Sequence, residues 1–175
     1  MNWVIKYMKK DNWIPIVFIL TFILSFIFGT ISTLVSDMNV LLLGILLIII
    51  IGIGIIFDMI GVAVLSCEES TFHAKASRKI KGSKQCIKLI KKANRTSSVC
   101  NDVIGDICGI VSGTITASLV ILLYDTPLTA IVLTAIVSSL TVGGKAIGKK
   151  IAIEHCEEIT FIVGKILNKI SFNNK

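Results

Sequence analysis

The sequence predicts an all-α integral membrane protein with about four transmembrane helices, each long enough for the roughly 20 residues that cross a hydrocarbon core. Three observations predict it: apolar residues gathered in long blocks, a composition of 54% hydrophobic against 17% charged residues, and basic residues confined to the segments between particular blocks. With a mean hydropathy of +0.86, a 175-residue chain has too little polar surface to face water on all sides.

The first span covers residues 13–35. Lys6, Lys9 and Lys10 precede it as they would a signal peptide, but the apolar run is too long and no small-residue cleavage site follows, so it reads as a retained signal anchor. Trp3, Tyr7 and Trp13 suit the membrane interface, where amphipathic rings are favoured. The polar turn Ser36-Asp37-Met38-Asn39 leads into a second span over about residues 40–65, nearly all Leu, Ile, Val and Gly apart from Asp58.

From residue 66 to 95 the character changes. Lys75, Arg78, Lys79, Lys81, Lys84, Lys88, Lys91, Lys92 and Arg95 stand against only Glu68 and Glu69, and an excess of this kind stays on the cytoplasmic side. Ile80, Ile87, Leu89 and Ile90 alternate with the lysines, and Gly82 separates two short helices expected to lie along the membrane surface, against anionic lipid headgroups.

The third span, about residues 99–123, opens with Asn101, Asp102 and Asp106. It carries Gly105, Gly109, Gly113 and Ala117 at every fourth position, a small-residue face that another helix can approach closely. Tyr124-Asp125-Thr126-Pro127 forms the next turn, with Pro127 suited to start a helix. The fourth span covers about residues 128–147. Residues 151–170 are too charged to span and too apolar for a free tail, which predicts an interfacial or docking helix.

The chain therefore divides into a signal-anchor span (1–36), a transmembrane domain (37–155) and an amphipathic C-terminal tail (156–175). The two short turns expected outside carry only Asp37 and Asp125, while every Lys and Arg falls on the other side. This predicts a multi-pass protein of the cell membrane with both termini in the cytoplasm.

Composition also bears on function. The 18 Lys and Arg against 11 Asp and Glu never form a polar domain with interleaved aromatics, so topology accounts for the basic character and nucleic-acid binding is not expected. Cys67, Cys86, Cys100, Cys108 and Cys156 include no CxxC pair, and reduced thiols are the expectation. His155-Cys156 lacks the second cluster that zinc needs. No nucleophile and base are arranged as a catalytic set, so an enzyme is not expected.

The carboxylates are the main functional clue, since an acidic side chain inside a span costs about 2.5–3.5 kcal/mol on insertion scales and needs a partner, water or an ion. Asp58 precedes the cytoplasmic end of the second span by about two turns of helix, and Asp102 and Asp106 open the third at the same side. Asp102 and Asp106 are four residues apart on one helical face, where a bound cation or a proton relieves their repulsion. With Ser66 and Asn101 nearby, such oxygens suit a hard cation such as magnesium. Ion pairing of Asp102 and Asp106 with Lys91, Lys92 or Arg95 explains the same spacing equally well.

Four motifs in order add to this: Ser66-Cys67-Glu68-Glu69-Ser70-Thr71; a basic segment with Lys81-Gly82 and Leu89-Ile90-Lys91-Lys92; Gly105-Asp106; and Gly144-Lys145-Ala146-Ile147-Gly148-Lys149. Over roughly residues 40–155 the chain resembles the transmembrane domain of the CNNM/CorB/CorC family of magnesium transport proteins. In that family a helix ends in Ser-Gly-Ser-Glu-Thr-Ala, a basic two-helix segment follows, the next helix carries Gly-Asn-Asn and the last ends in Gly-Glu-x-x-Pro-Lys. The resemblance implies a magnesium pocket near the first two motifs, carried here by Ser66, Glu69 and Asp106. Three positions depart from it: Glu68 replaces the second motif serine, Asp106 the asparagine and Lys145 the acidic residue of the last motif. Lys145 cannot ligate a cation, so the pocket must be rearranged or lost. The family continues into paired CBS domains where this sequence ends, and nucleotide regulation is not expected.

The sequence thus predicts a membrane protein that handles divalent cations, as a homodimer joined through the glycine faces, with Ser66, Glu69, Asp102, Asp106 and Asp58 as candidate ligands. Its rival is a non-transporting scaffold, stress or immunity protein that keeps the fold and has lost the pocket.

Overall fold

The computed structural model describes residues 13–35, 39–123 and 127–173. Trp3, Tyr7, the three N-terminal lysines, and Asp37 and Asp125 of the two expected outside turns lie outside the described residues. Within them the chain is helical throughout: α1 (Trp13–Val35), α2 (Val40–Ser66), α3 (Glu69–Ser77), α4 (Ser83–Lys91), α5 (Ala93–Ser98), a π-helical segment (Val99–Gly105), α6 (Asp106–Leu123), α7 (Pro127–Glu154) and α8 (Cys156–Asn173). Four stretches are long and apolar enough to cross a membrane: α1, α2, the continuous run Ala93–Leu123, and α7. The protein is therefore all-α with four candidate spans.

α2 is the centre of the bundle. It packs on α5, the π-helical segment, α6, α7 and α8. Its buried residues Leu43, Leu47, Ile51, Gly54, Asp58 and Gly61 recur every third or fourth position, so one stripe faces the protein. Leu41 and Ile48 point outward, 72% and 64% exposed, as a lipid-facing surface requires. Leu43, Leu47 and Ile51 meet Val103, Ile107, Val111, Ile115 and Leu119 across the seam, with Val137 of α7 closing the cluster. α1 adds Val17, Leu20, Leu24 and Phe28 to this core and turns Phe18, Phe22 and Phe26 outward.

Within the chain, close approach between helices rests on Gly54, Gly61, Gly144 and Gly148, and on Gly105 alone of the four-residue-spaced glycines. A Cβ on Gly61 would collide with the Asn101 amide, and one on Gly54 would lie 3.0 Å from the Cys108 Cβ. Gly144 and Gly148, one turn apart on α7, let that helix press on Ile55 of α2. Gly109 and Gly113 instead border open space, in a groove of about 390 Å³ between α6 and α7.

A second, smaller cluster lies beyond the end of α2. α3 and α4 form a hairpin whose turn uses Lys79 (φ 56°) and Gly82 (φ 96°), and Gly82 sits against the Lys165 backbone of α8. Phe72, Cys86 and Cys67 are buried there, with Ile87, Ile90, Cys156 and Phe161 around them. Most lysines of the hairpin stay on its outer side: Lys79, Lys81, Lys84, Lys88, Lys91 and Lys92 are exposed, while Lys75 is half-buried over the Phe72 and Phe161 rings. The expected break at Gly82 is where α4 begins.

Candidate functional site

The helix run 93–123 departs from α-geometry over Val99–Gly105, where i→i+5 bonding widens the turn. This widened stretch lies against the end of α2 that carries Asp58 and Gly61, and α7 crosses the same end of α2 on its Gly144/Gly148 face. Three elements thus meet around Asp58.

Asp58 is 3% exposed. The Lys149 ammonium of α7 lies 3.4 Å from its Oδ2, within ion-pair range, yet Oδ2 accepts no aligned hydrogen bond. One turn earlier on α7, Lys145 Nζ donates to the Gly105 carbonyl at 3.3 Å and lies 4.0 Å from Asp106 Oδ1. Gly105 forms the floor between these groups: a Cβ there would sit 3.4 Å from Lys145 Nζ and 3.6 Å from Asp58 Oδ1. Lacking a Cβ, Gly105 leaves the space in which the ammonium and the carboxylate approach one another.

A second oxygen on the same seam also lacks a hydrogen bond. Asn101 donates through Nδ2 to Ser97 Oγ at 3.2 Å, while its buried Oδ1 has no hydrogen bond. With the amide in this orientation, the seam between α2 and the π-helical segment holds two unsatisfied buried oxygens, Asp58 Oδ2 and Asn101 Oδ1. A buried polar atom left unpaired costs about 1–3 kcal/mol, so the Asn101 oxygen calls for a donor, water or a cation, while Asp58 Oδ2 has the Lys149 ammonium beside it and room for a further partner.

The five residues expected as ligands are distributed unevenly. Asp106 lies beside Lys145, and Asp58, paired with Lys149, borders the same glycine, Gly105. Asp102, in the π-helical segment, and Ser66, at the end of α2, are exposed. Glu69 opens α3 and is taken up by His73 at 2.8 Å and Lys91 at 3.5 Å. The hydrogen bond from His73, together with the Lys91 charge, holds its carboxyl below the ordinary range. Lys91, one of the partners weighed for Asp102 and Asp106, thus serves Glu69. Among the described residues no three His, Cys, Asp or Glu side chains gather as a metal-holding group.

Reasoning from the sequence missed Lys149 and the Gly105 carbonyl. The signal for Lys149 was present: it follows Lys145 by four residues on one face of a span, where two ammonium groups need anions as much as Asp58 needs a cation. The carbonyl left no trace, because a π-helical turn has no composition of its own.

No protein-family model, curated protein or solved structure significantly matches the chain.

Proposed function

We propose that this is a multi-pass protein of the cell membrane that handles divalent cations, magnesium foremost, at the seam between α2, the π-helical segment and α7. The observation that carries the reading is the buried pair of unsatisfied oxygens, Asp58 Oδ2 and Asn101 Oδ1. Magnesium takes one or two carboxylates and keeps several waters, so Asp58 with an amide and the Gly105 carbonyl is a sufficient protein contribution. Lys145 and Lys149 act as resident counter-charges that an arriving cation displaces, and Asp106, more exposed, meets the ion on entry. Ser66, Asp102 and Glu69 contribute oxygens at the mouth. The CNNM-like order of motifs supports this reading. In it both termini and the basic hairpin face the cytoplasm, with α8 along the inner leaflet, hairpin lysines on anionic headgroups, and two copies joined through Gly109 and Gly113.

A second reading is favoured by one observation: Lys145 already donates to the Gly105 carbonyl, and two ammonium groups balance two carboxylates. On that reading the site is locked by its own lysines and the chain is a non-transporting membrane scaffold.

Thermal unfolding of the purified protein in detergent, with and without millimolar magnesium, separates the two. Cation handling predicts a magnesium-dependent rise in melting temperature that Asp58→Asn abolishes and Lys145→Met enlarges, together with magnesium flux in proteoliposomes. A wild type indifferent to magnesium in both assays establishes the lock.

A further inference from the structure

Three of the five cysteines meet in one place, although the sequence separates them widely. Cys67 follows the last residue of α2, Cys86 sits in α4 and Cys156 is the first residue of α8. Cys67 and Cys86 are buried with Phe72, and Cys156, half-buried, packs against them. Thr160 ties the group together: its Oγ1 lies 3.4 Å from Cys67 Sγ, and its carbonyl accepts a hydrogen bond from Cys86 Sγ at 3.4 Å. Thr160 is one turn after Cys156 on α8, so both occupy the inward face of that helix.

We propose that Cys67 and Cys156 are a disulfide-forming pair that reacts with hydroperoxides. The two residues have opposite environments. Cys156 has partial access to solvent, whereas Cys67 is 8% exposed and covered by Phe72 and Thr160. Cys156 is therefore the group that meets the oxidant. Its thiolate attacks the peroxide and breaks the O–O bond, giving a sulfenic acid, and the hydroxide that leaves takes up the proton the thiol released and departs as water. The Cys67 sulfur then attacks the sulfenic sulfur, and its proton leaves with the hydroxyl group as a second water. Two thiols and one hydrogen peroxide become one disulfide and two waters, and the peroxide takes the two electrons.

Cys86 is excluded from the pair by packing. It is fully buried, its thiol is engaged by the Thr160 carbonyl, and its sulfur fills the notch left by Gly164. The consequence of the bond is mechanical. It fastens the end of α2, the helix of Asp58, to the start of α8, which continues directly from the helix of Lys149. It would restrain the separation of α2 from α7 whichever function the ionic seam serves, and it does not depend on the cation reading.

The test is peptide mapping of the purified full chain after stoichiometric hydrogen peroxide and alkylation of remaining thiols. The expected product is a Cys67–Cys156 linked peptide pair, about 2 Da lighter than the two reduced peptides together and reversed by dithiothreitol. Cys86→Ser should retain the link, and Cys67→Ser and Cys156→Ser should each lose it. The oxidised wild type should melt about 5 °C above the reduced protein. Sulfinic acid at Cys156 with free Cys67 in the wild type, a link through Cys86, or links only between chains would overturn the proposal. The wild-type map decides by itself if a serine variant fails to fold.

Discussion

The ionic contacts of the α2–α7 seam and those of the α3–α8 hairpin region use the same side chains and differ in what surrounds them. At the seam a 3%-exposed aspartate in an apolar span faces Lys149, and Lys145 stands one turn away. In the hairpin region Lys75 pairs with Glu157 at 3.3 Å and Lys91 with Glu69, each pair joining a half-buried side chain to an exposed one that water reaches. Exposed pairs are worth about 0–1 kcal/mol because water solvates the partners nearly as well when they are apart. The seam pair is not a large net source of stability either, since its attraction is set against desolvation, but neither partner can be removed cheaply. The comparison shows where this chain has committed charge: α2 carries one carboxylate in its buried stripe, and α7 answers it.

The largest expected effect breaks the seam. Replacing both Lys145 and Lys149 with Met leaves Asp58 buried without a counter-charge and should destabilise the protein by about 3–5 kcal/mol. Lys149→Met alone should cost less, because Lys145 is close enough to take over. Adding Asp58→Asn to the double variant should restore most of the loss, since no buried charge then remains. Lys75→Met, the same change in the hairpin region, should cost no more than about 1 kcal/mol. Chemical denaturation in detergent micelles measures all four variants. Equal losses for the seam and hairpin variants would mean that water reaches Asp58 freely.

A middle-sized effect concerns packing in the same two regions. In the hairpin region Gly164 has no room: a Cβ there would meet the Cys86 sulfur and lie 3.0 Å from the Gly82 carbonyl. Gly164→Ala should force α4 and α8 apart and cost about 1–3 kcal/mol. Gly113 borders the open groove of the bundle, where a Cβ meets nothing within 4 Å of its own chain, so Gly113→Ala should cost the fold of a single chain no more than about 0.5 kcal/mol and act instead on the contact between copies. A change in oligomer size in detergent is the outcome expected where two copies join through this face, and an unchanged size would remove Gly113 from that contact.

The spans were legible because hydropathy and length suffice for them: residues 13–35 and 40–65 were expected where α1 and α2 lie. Gly82 was legible as a break because few other residues tolerate its backbone geometry. What lipid hides is which side of a span faces protein. In α2 the buried Leu43 and Leu47 and the exposed Leu41 and Ile48 are chemically alike, so periodicity carries no signal there. The same limit hides which glycines serve the chain's own packing: Gly54, Gly61, Gly144 and Gly148 are pressed upon within the chain, while the regularly spaced Gly109 and Gly113 face open space. For the candidate site, the cost of a charge inside a span pointed to Asp58, Asp102 and Asp106, of which Asp58 alone is buried. It did not point to Lys149 as the partner, because the pairing is a matter of helix register.

The smallest expected effect is a pH dependence confined to the hairpin region. Glu69 accepts a 2.8 Å hydrogen bond from His73 one turn along α3, and Lys91 of α4 lies 3.5 Å away. These contacts favour the ionised carboxylate and hold it below its ordinary range. A carboxyl whose folded value is depressed contributes stability that is fully present above its unfolded value and is lost as pH falls through the folded one. Stability should therefore fall slightly on acidification below the usual glutamate range, and Glu69→Gln should flatten that part of the profile while leaving the neutral-pH melting temperature nearly unchanged. The contribution is small because water competes for every group involved. Melting curves of wild type and Glu69→Gln across the acidic range read the difference directly. A Glu69→Gln protein that loses several degrees at neutral pH would place Glu69 in a dry, consequential contact and erase the contrast between the hairpin region and the seam.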